Sequence, residues 1–231
     1  MKNRKQAFTL TELLIALGII GAIAAISIPS LMTTINNRVL TNQLKSTVGA
    51  IQQLMNDEMV TNNTKSLKDT DFADPAKLIG KPSEPSAHFA TTRICNTAAL
   101  SQKECWKTTA TGAAKVQYRL LNGNNAEAAG PTYYSVVLKN GAILGYTLAN
   151  GAIGTNDKAI GEFCVDVNGT EPPNMRGRDY FCFYVSNKGR IVDLIDQTIT
   201  TEAKINSCKG TGGDANNCFG AIVDSGWKMP Y

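Results

Sequence analysis

Glu12 is the only charged residue between Phe8 and Pro29, in the stretch FTLTELLIALGIIGAIAAISIPS. A carboxylate among apolar residues costs a few kcal/mol on membrane-insertion scales and marks a functional site whose partner has to be found. No Lys, Arg or His lies between Phe8 and Ser30, so that partner is not in the same stretch. A second group of polar residues sits in DVNGTEPPNMRGRD, where Asp166, Asn168, Glu171 and Asp179 put oxygens on a loop bent by Gly and Pro, as a calcium ion would need. Arg176 and Arg178 share that loop and the spacing is not that of an EF-hand. Turn hydrogen bonds are the commoner role of such residues, so no firm metal site is assigned and calcium is the lesser reading.

Other reactive side chains are few. The single His88 has no second histidine with which to build a metal or catalytic centre and reads as an exposed loop residue. The chain has no Gly-x-Ser-x-Gly elbow, no P-loop, no dinucleotide fingerprint and no zinc-type ligand cluster. An enzyme is therefore not expected, and no cofactor is implied. Six cysteines without a C-x-x-C spacing suggest disulfides in an oxidising compartment.

The element that positions Glu12 is a helix long enough to cross the roughly 30 Å hydrocarbon layer at about 1.5 Å per residue. Lys2, Arg4 and Lys5 precede it with no acid among them, which keeps the N-terminus cytoplasmic and sends the bulk of the chain across. A cleaved secretory signal has a shorter apolar core. Here the apolar run is longer and passes through Ser27, Ile28 and Pro29 into more helix-like sequence. A plain signal anchor fits better, yet it gives no reason for Glu12.

Lys-Gln-Ala followed by FTLTELLIALGIIGAIAAI resembles the leader and N-terminal helix of type IV pilins and the related pseudopilins, over residues 1 to about 59. The resemblance lies in the combination: a short basic leader, a small residue, Phe, a Glu four residues later and a long apolar run with Pro near its end. It implies that a prepilin peptidase cuts between Ala7 and Phe8 and methylates the new Phe8 amine. It implies too that Glu12, with Phe8 and Pro29, serves assembly, Glu12 meeting the N-terminal amine of a neighbouring subunit. Ala7 stands where Gly is more usual, and Thr11 where an apolar residue is common.

Physical chemistry supplies a reason for such a pair. Cutting after Ala7 creates an amine close to Glu12, and a cation in low dielectric offsets the cost of a buried anion. A partner supplied by the next protomer would also set axial register. Ala16, Gly18, Gly21, Ala22, Ala24 and Ala25 let helices approach closely, although small residues are also simply common in membrane spans. Pro29 removes one backbone bond and is the expected kink.

Beyond the span, Ile35, Val39, Leu44, Val48, Ile51, Met55 and Met59 recur at helical spacing and predict an amphipathic continuation. Residues 62–85 read as a loop with a short helix over Pro75–Ile79, and 97–106 as another short helix. A first strand is expected over Lys115–Leu121. PTYYSVVLKNGAILGYTL predicts a hairpin at Asn140-Gly141, and EFCVDV, YFCFYV and IVDLI are further strands. In two of these, Phe163, Val165 and Val167, and Phe181, Phe183 and Val185, alternate with the rest, placing Cys164 and Cys182 on the opposite face within bridging range. Cys95–Cys105 and Cys208–Cys218 follow from proximity, though fifteen connectivities are formally open. The tail CFGAIVDSGWKMPY reads as a helix stopped at Gly226, with Trp227 and Tyr231 capping the core.

The formal charge of +4 counts 23 basic residues against 19 acidic, three of the basic ones in the leader. The processed chain is therefore near neutral, with no strong nucleic-acid signal. The expected architecture is α+β and pilin-like: a leader over 1–7, a transmembrane and assembly half-helix over 8–30, its amphipathic half over 31–59, and a globular domain with an antiparallel sheet and disulfides over 60–231. The resemblance implies a filament subunit anchored by a single pass in the inner membrane and then carried to the cell surface. Its partners would be copies of itself, other pilins or pseudopilins, the peptidase, the inner-membrane assembly machinery and lipid. A tip-located minor pilin, or a membrane-anchored binding protein or adhesin that never polymerises, is the alternative.

Overall fold

The computed structural model of the chain describes residues 9–81, 84–85, 87–95, 118–126, 134–153, 156–193, 198–210 and 215–231. Its first element, α1, runs Leu10–Thr61 and belongs to two units, one ending at Val39 and one beginning at Leu40. Within the first, the helix continues through Pro29. Nearby hydroxyls bond back to carbonyls, Ser30 Oγ to Ser27 O at 3.0 Å and Thr33 Oγ1 to Pro29 O at 3.1 Å. Both are the back-bonds that Ser and Thr make inside a helix, and neither goes to the Ala25 carbonyl, the one that the missing Pro29 N–H would have bonded.

In the second unit, Leu40, Leu44, Val48, Ile51 and Met55 are buried on one stripe of α1. Their spacing of three and four residues puts them on one face. Ile35 and Val39, expected on the same stripe, are exposed at 45% and 49%. The packed stripe therefore begins at Leu40, and Met59 is only partly buried at its far end.

That stripe packs on an antiparallel sheet. Among the described residues the sheet takes six strands in sequence order: β3 (Thr91–Cys95), β4 (Tyr134–Leu138), β5 (Ile143–Leu148), β6 (Ala159–Asp166), β7 (Tyr180–Ser186) and β8 (Ile191–Val192). A separate two-stranded ribbon pairs β1 (Gly80–Lys81) with β2 (Glu84–Pro85). The β4–β5 hairpin closes over Lys139, Asn140 and Gly141, with Leu138 N donating to Ala142 O and Gly141 N to Leu138 O. Gly141 alone of the three has a positive φ, +87°, so the connection has the form of a three-residue loop ending in a left-handed glycine.

The register sets Phe163 opposite Phe183, Val165 opposite Phe181 and Cys164 opposite Cys182. The apolar row joins α1 in the main core. Phe163, Phe181 and Phe183 are fully buried, each such side chain contributing about 1.5–3 kcal/mol. Cys164 and Cys182, on the other face, form a disulfide. That face is also covered, by Tyr118, Leu120 and Ala126. The strand expected over Lys115–Leu121 is not found there: its described part makes only isolated bridges, Arg119 with Asn125 and with Met175. Residues 115–117 lie outside the described residues, as does the helix expected over 97–106.

The 62–85 connection holds two 3-10 turns, Leu67–Asp69 and Asp71–Ala73, and α2 over Pro75–Ile79, capped by Asp74 Oδ1 accepting from Ala76 N at 2.9 Å. After the sheet come α3 (Thr201–Lys209), which the sequence pattern did not reveal, and α4 (Ala215–Asp224), joined by the Cys208–Cys218 disulfide. Past α4, Gly226 has φ +68° and Trp227 N reaches back to Ile222 O at 2.9 Å, a glycine-stopped helix end. Trp227 and Tyr231 pack against the core. Cys95 is disulfide-bonded; Cys105, its expected partner, lies outside the described residues. Of the strand expected over IVDLI, the described residues form Ile191–Val192; 194–195 lie outside the described residues.

Candidate assembly site on the N-terminal helix

α1 starts with Thr9 and Glu12 bonded to each other. Thr9 N and Thr9 Oγ1 donate to Glu12 Oε2 at 2.8 and 2.9 Å, while Glu12 N donates to Thr9 Oγ1 at 3.2 Å. This is a capping box, which satisfies first-turn donors that the helix cannot satisfy itself. The T-x-x-E spacing of Thr9-Leu10-Thr11-Glu12 is the sequence signature of this box. Glu12 Oε1 takes no hydrogen bond from the described residues, and no cation among them pairs with this carboxylate. Ala7 and Phe8, the expected cleavage site, lie outside the described residues.

From Leu13 to Ile26 the helix surface is apolar all round. Leu13, Leu14, Ile15 and Leu17 are 56–61% exposed, and successive residues turn by about 100°, so no face is left polar. This helix is long and apolar enough to cross a membrane. At Gly18 and Gly21 a Cβ would meet nothing within 4 Å, leaving room for another surface to approach the backbone.

The Asp166–Asp179 loop is largely bonded to itself. Asp179 is fully buried and accepts Asn174 N and Met175 N, both at 2.6 Å; burial pushes its carboxyl up to about 6. Asp166, also fully buried, accepts the Tyr118 hydroxyl. Burial, reinforced by the nearby Asp179 charge, raises it well above the usual carboxylate range, and burial likewise raises Tyr118. Asn168 Nδ2 donates to the carbonyls of Glu171 and Pro172, and Asn174 Nδ2 to that of Thr170. Asp166 Oδ1, Asn168 Oδ1 and Asn174 Oδ1 are buried with no hydrogen-bond partner among the described residues. These three oxygens suit a hard cation, but only one is a carboxylate oxygen, Asp179 is committed to the backbone, and Glu171 is exposed. The set falls short of the six to eight oxygens that calcium takes.

His88 is not the exposed residue expected. It is half-buried, with Nε2 2.9 Å from Asp71 Oδ2 and Nδ1 3.7 Å from Glu58 Oε1. Each ring nitrogen faces a different carboxylate, so the imidazole ties the 87–90 segment to the end of α1 and to the turn at Asp71. The other grouping of ligand-type residues, Glu162 with Cys164 and Cys182, has both sulfurs in a disulfide.

Residues 2–28 match the family model described as the prokaryotic N-terminal methylation motif, the prepilin-type signal of type IV pilins and pseudopilins. No curated protein and no solved structure matches the chain. The motif spans the leader and most of the exposed apolar surface, and it points to an exported, structural, pilin-like protein.

Proposed function

We propose that the chain is a pilin or pseudopilin, a structural subunit of a type IV pilus or type II secretion pseudopilus. In this reading prepilin peptidase cuts between Ala7 and Phe8 and Phe8 is N-methylated. The processed subunit waits in the inner membrane as a single-pass protein with its sheet domain outside. Inner-membrane machinery then extracts it into a filament of its own copies and related pilins, with the apolar half-helices at the centre and Pro29 inside that bundle.

One observation carries the reading: a helix apolar on every side from Leu13 to Ile26 has one acid just before that run, in its first turn. Lipid alone would cover the apolar surface, but it offers Glu12 Oε1 no cation, whereas the amine of a neighbouring processed subunit does. The test compares filaments sheared from cells carrying the wild-type chain or Glu12→Ala. Loss of the filament with the membrane pool unchanged supports assembly; an undiminished filament rejects it.

The second reading, a membrane-anchored binding protein that never polymerises, draws on the capping box, which gives Glu12 work within its own helix. Under it Glu12→Ala leaves every cellular fraction unchanged.

A further inference from the structure

Four lysines line one hollow of about 550 Å³ in the globular unit: Lys65, Lys68, Lys158 and Lys188. All four are exposed, and none forms an ion pair with a described residue. They come from three segments that the backbone ties together. Leu67 N donates to Asn187 O at 2.9 Å, and Asn187 N to Lys158 O at 2.7 Å. The lysines are thus spaced by the fold.

The acid in this hollow is already neutralised. Asp157 Oδ2 accepts Arg190 Nε and Nη2 at 3.2 and 2.7 Å, and Oδ1 accepts Lys158 N at 2.9 Å. Asp69, next to Lys68 in sequence, bonds Thr64 Oγ1 and does not line the hollow. Among the described residues, four ammonium groups therefore remain uncompensated, on a chain whose processed form is near neutral.

A second hollow of about 690 Å³ shares Lys65 and Lys188 and extends past Asn63 at the end of α1, and a third shares Lys68. Four charges spread over connected hollows exceed what one small anion can contact. They suit anionic groups carried in series. No aromatic side chain among the described residues lines any of the three, so there is no platform for stacking bases. We propose that these lysines form a track for phosphate groups in series, recognised by charge alone.

The test uses the full-length chain in a micelle of uncharged detergent. Tripolyphosphate, titrated calorimetrically, probes a small phosphate chain. A short labelled oligothymidylate, followed by fluorescence anisotropy, probes a phosphodiester chain. Saturable binding of either supports the track, and the probe that binds identifies the source. With four lysines engaged, oligothymidylate affinity should fall with salt at a log–log slope of about −2.8, reduced to about −1.4 in Lys65→Gln/Lys188→Gln. That pair should also weaken whichever probe binds by about tenfold. Lys68→Gln/Lys158→Gln should behave alike, and the thermal midpoint reports that each variant is folded. No saturable binding of either probe, or binding that both folded variants retain in full, overturns the proposal.

Discussion

Thr9 and Glu12 bond each other reciprocally at the start of α1, through Thr9 N and Oγ1 to Glu12 Oε2 and Glu12 N to Thr9 Oγ1. The carboxylate long enough to close this box still presents Oε1. One acid can thus start the helix and also receive a cation from a neighbour, and the two roles separate by mutation.

Thr9→Val removes the cap hydroxyl and keeps the Glu12 charge. It should destabilise the first turn by about 1 kcal/mol and leave filaments that are reduced but present. Glu12→Gln keeps an acceptor for Thr9 and removes the charge, and it should abolish filaments. Sheared-filament yield at matched membrane levels distinguishes them; equal defects would mean that capping alone matters.

Gly161 lies against the ring of Tyr146, and a Cβ there would overlap it. The ring cannot swing away without breaking the Tyr146 hydroxyl bond to Phe72 O at 2.8 Å. Gly161→Ala should therefore cost about 1–3 kcal/mol, read as a lower urea midpoint. An unchanged midpoint would show that Tyr146 relocates freely.

Cys164–Cys182 closes a loop across a sequence separation of 18 between adjacent strands. Replacing both cysteines with Ser should destabilise the domain by about 3 kcal/mol on the chain-entropy account. Stability within about 0.5 kcal/mol of wild type would show that the β6–β7 pairing already confines that loop in the unfolded chain.

The buried carboxyls make stability fall with rising pH. Asp179 rises to about 6 in the folded state, so the native form holds more protons than the unfolded one. That contribution is complete below about pH 4 and is lost as pH rises through about 6, on the order of 3 kcal/mol in all. Asp166, raised in the same direction, adds to the slope. Asp166→Asn, a neutral group able to accept the Tyr118 hydroxyl, should make the pH dependence shallower in urea unfolding; an unaltered profile would contradict the assignment.

Since the loop carboxylates are met by Tyr118 and by backbone amides, chelation should shift the thermal midpoint by less than about 1 °C. A calcium-dependent rise of several degrees would place an ion at Asp166 Oδ1, Asn168 Oδ1 and Asn174 Oδ1.

Much of the fold was legible because local pattern and tertiary context agree. The Asn140-Gly141 hairpin and the alternating phenylalanines of β6 and β7 follow from period and turn chemistry alone. The start of the packed stripe at Leu40 did not, because Ile35 and Val39 keep the same helical spacing and periodicity alone does not say where burial begins. α3 carries a polar sequence and is held by a disulfide and by Lys204, 2.7 Å from Asp193 and 3.0 Å from Asp224, partners that no periodicity reveals. His88 meets Glu58 and Asp71 across the fold for the same reason. At the candidate site, Glu12 stood out by its charge, whereas its bond to Thr9 needed the helix start to be placed within a residue.

Everything in the assembly account follows from the amine made at Phe8, so the intact mass and N-terminal sequence of the protein recovered from its own membranes are the most direct measurement. The account predicts a chain beginning at Phe8 with one methyl group on its amine. A chain beginning at Met1 or at another cut, in cells with an active prepilin peptidase, would contradict it.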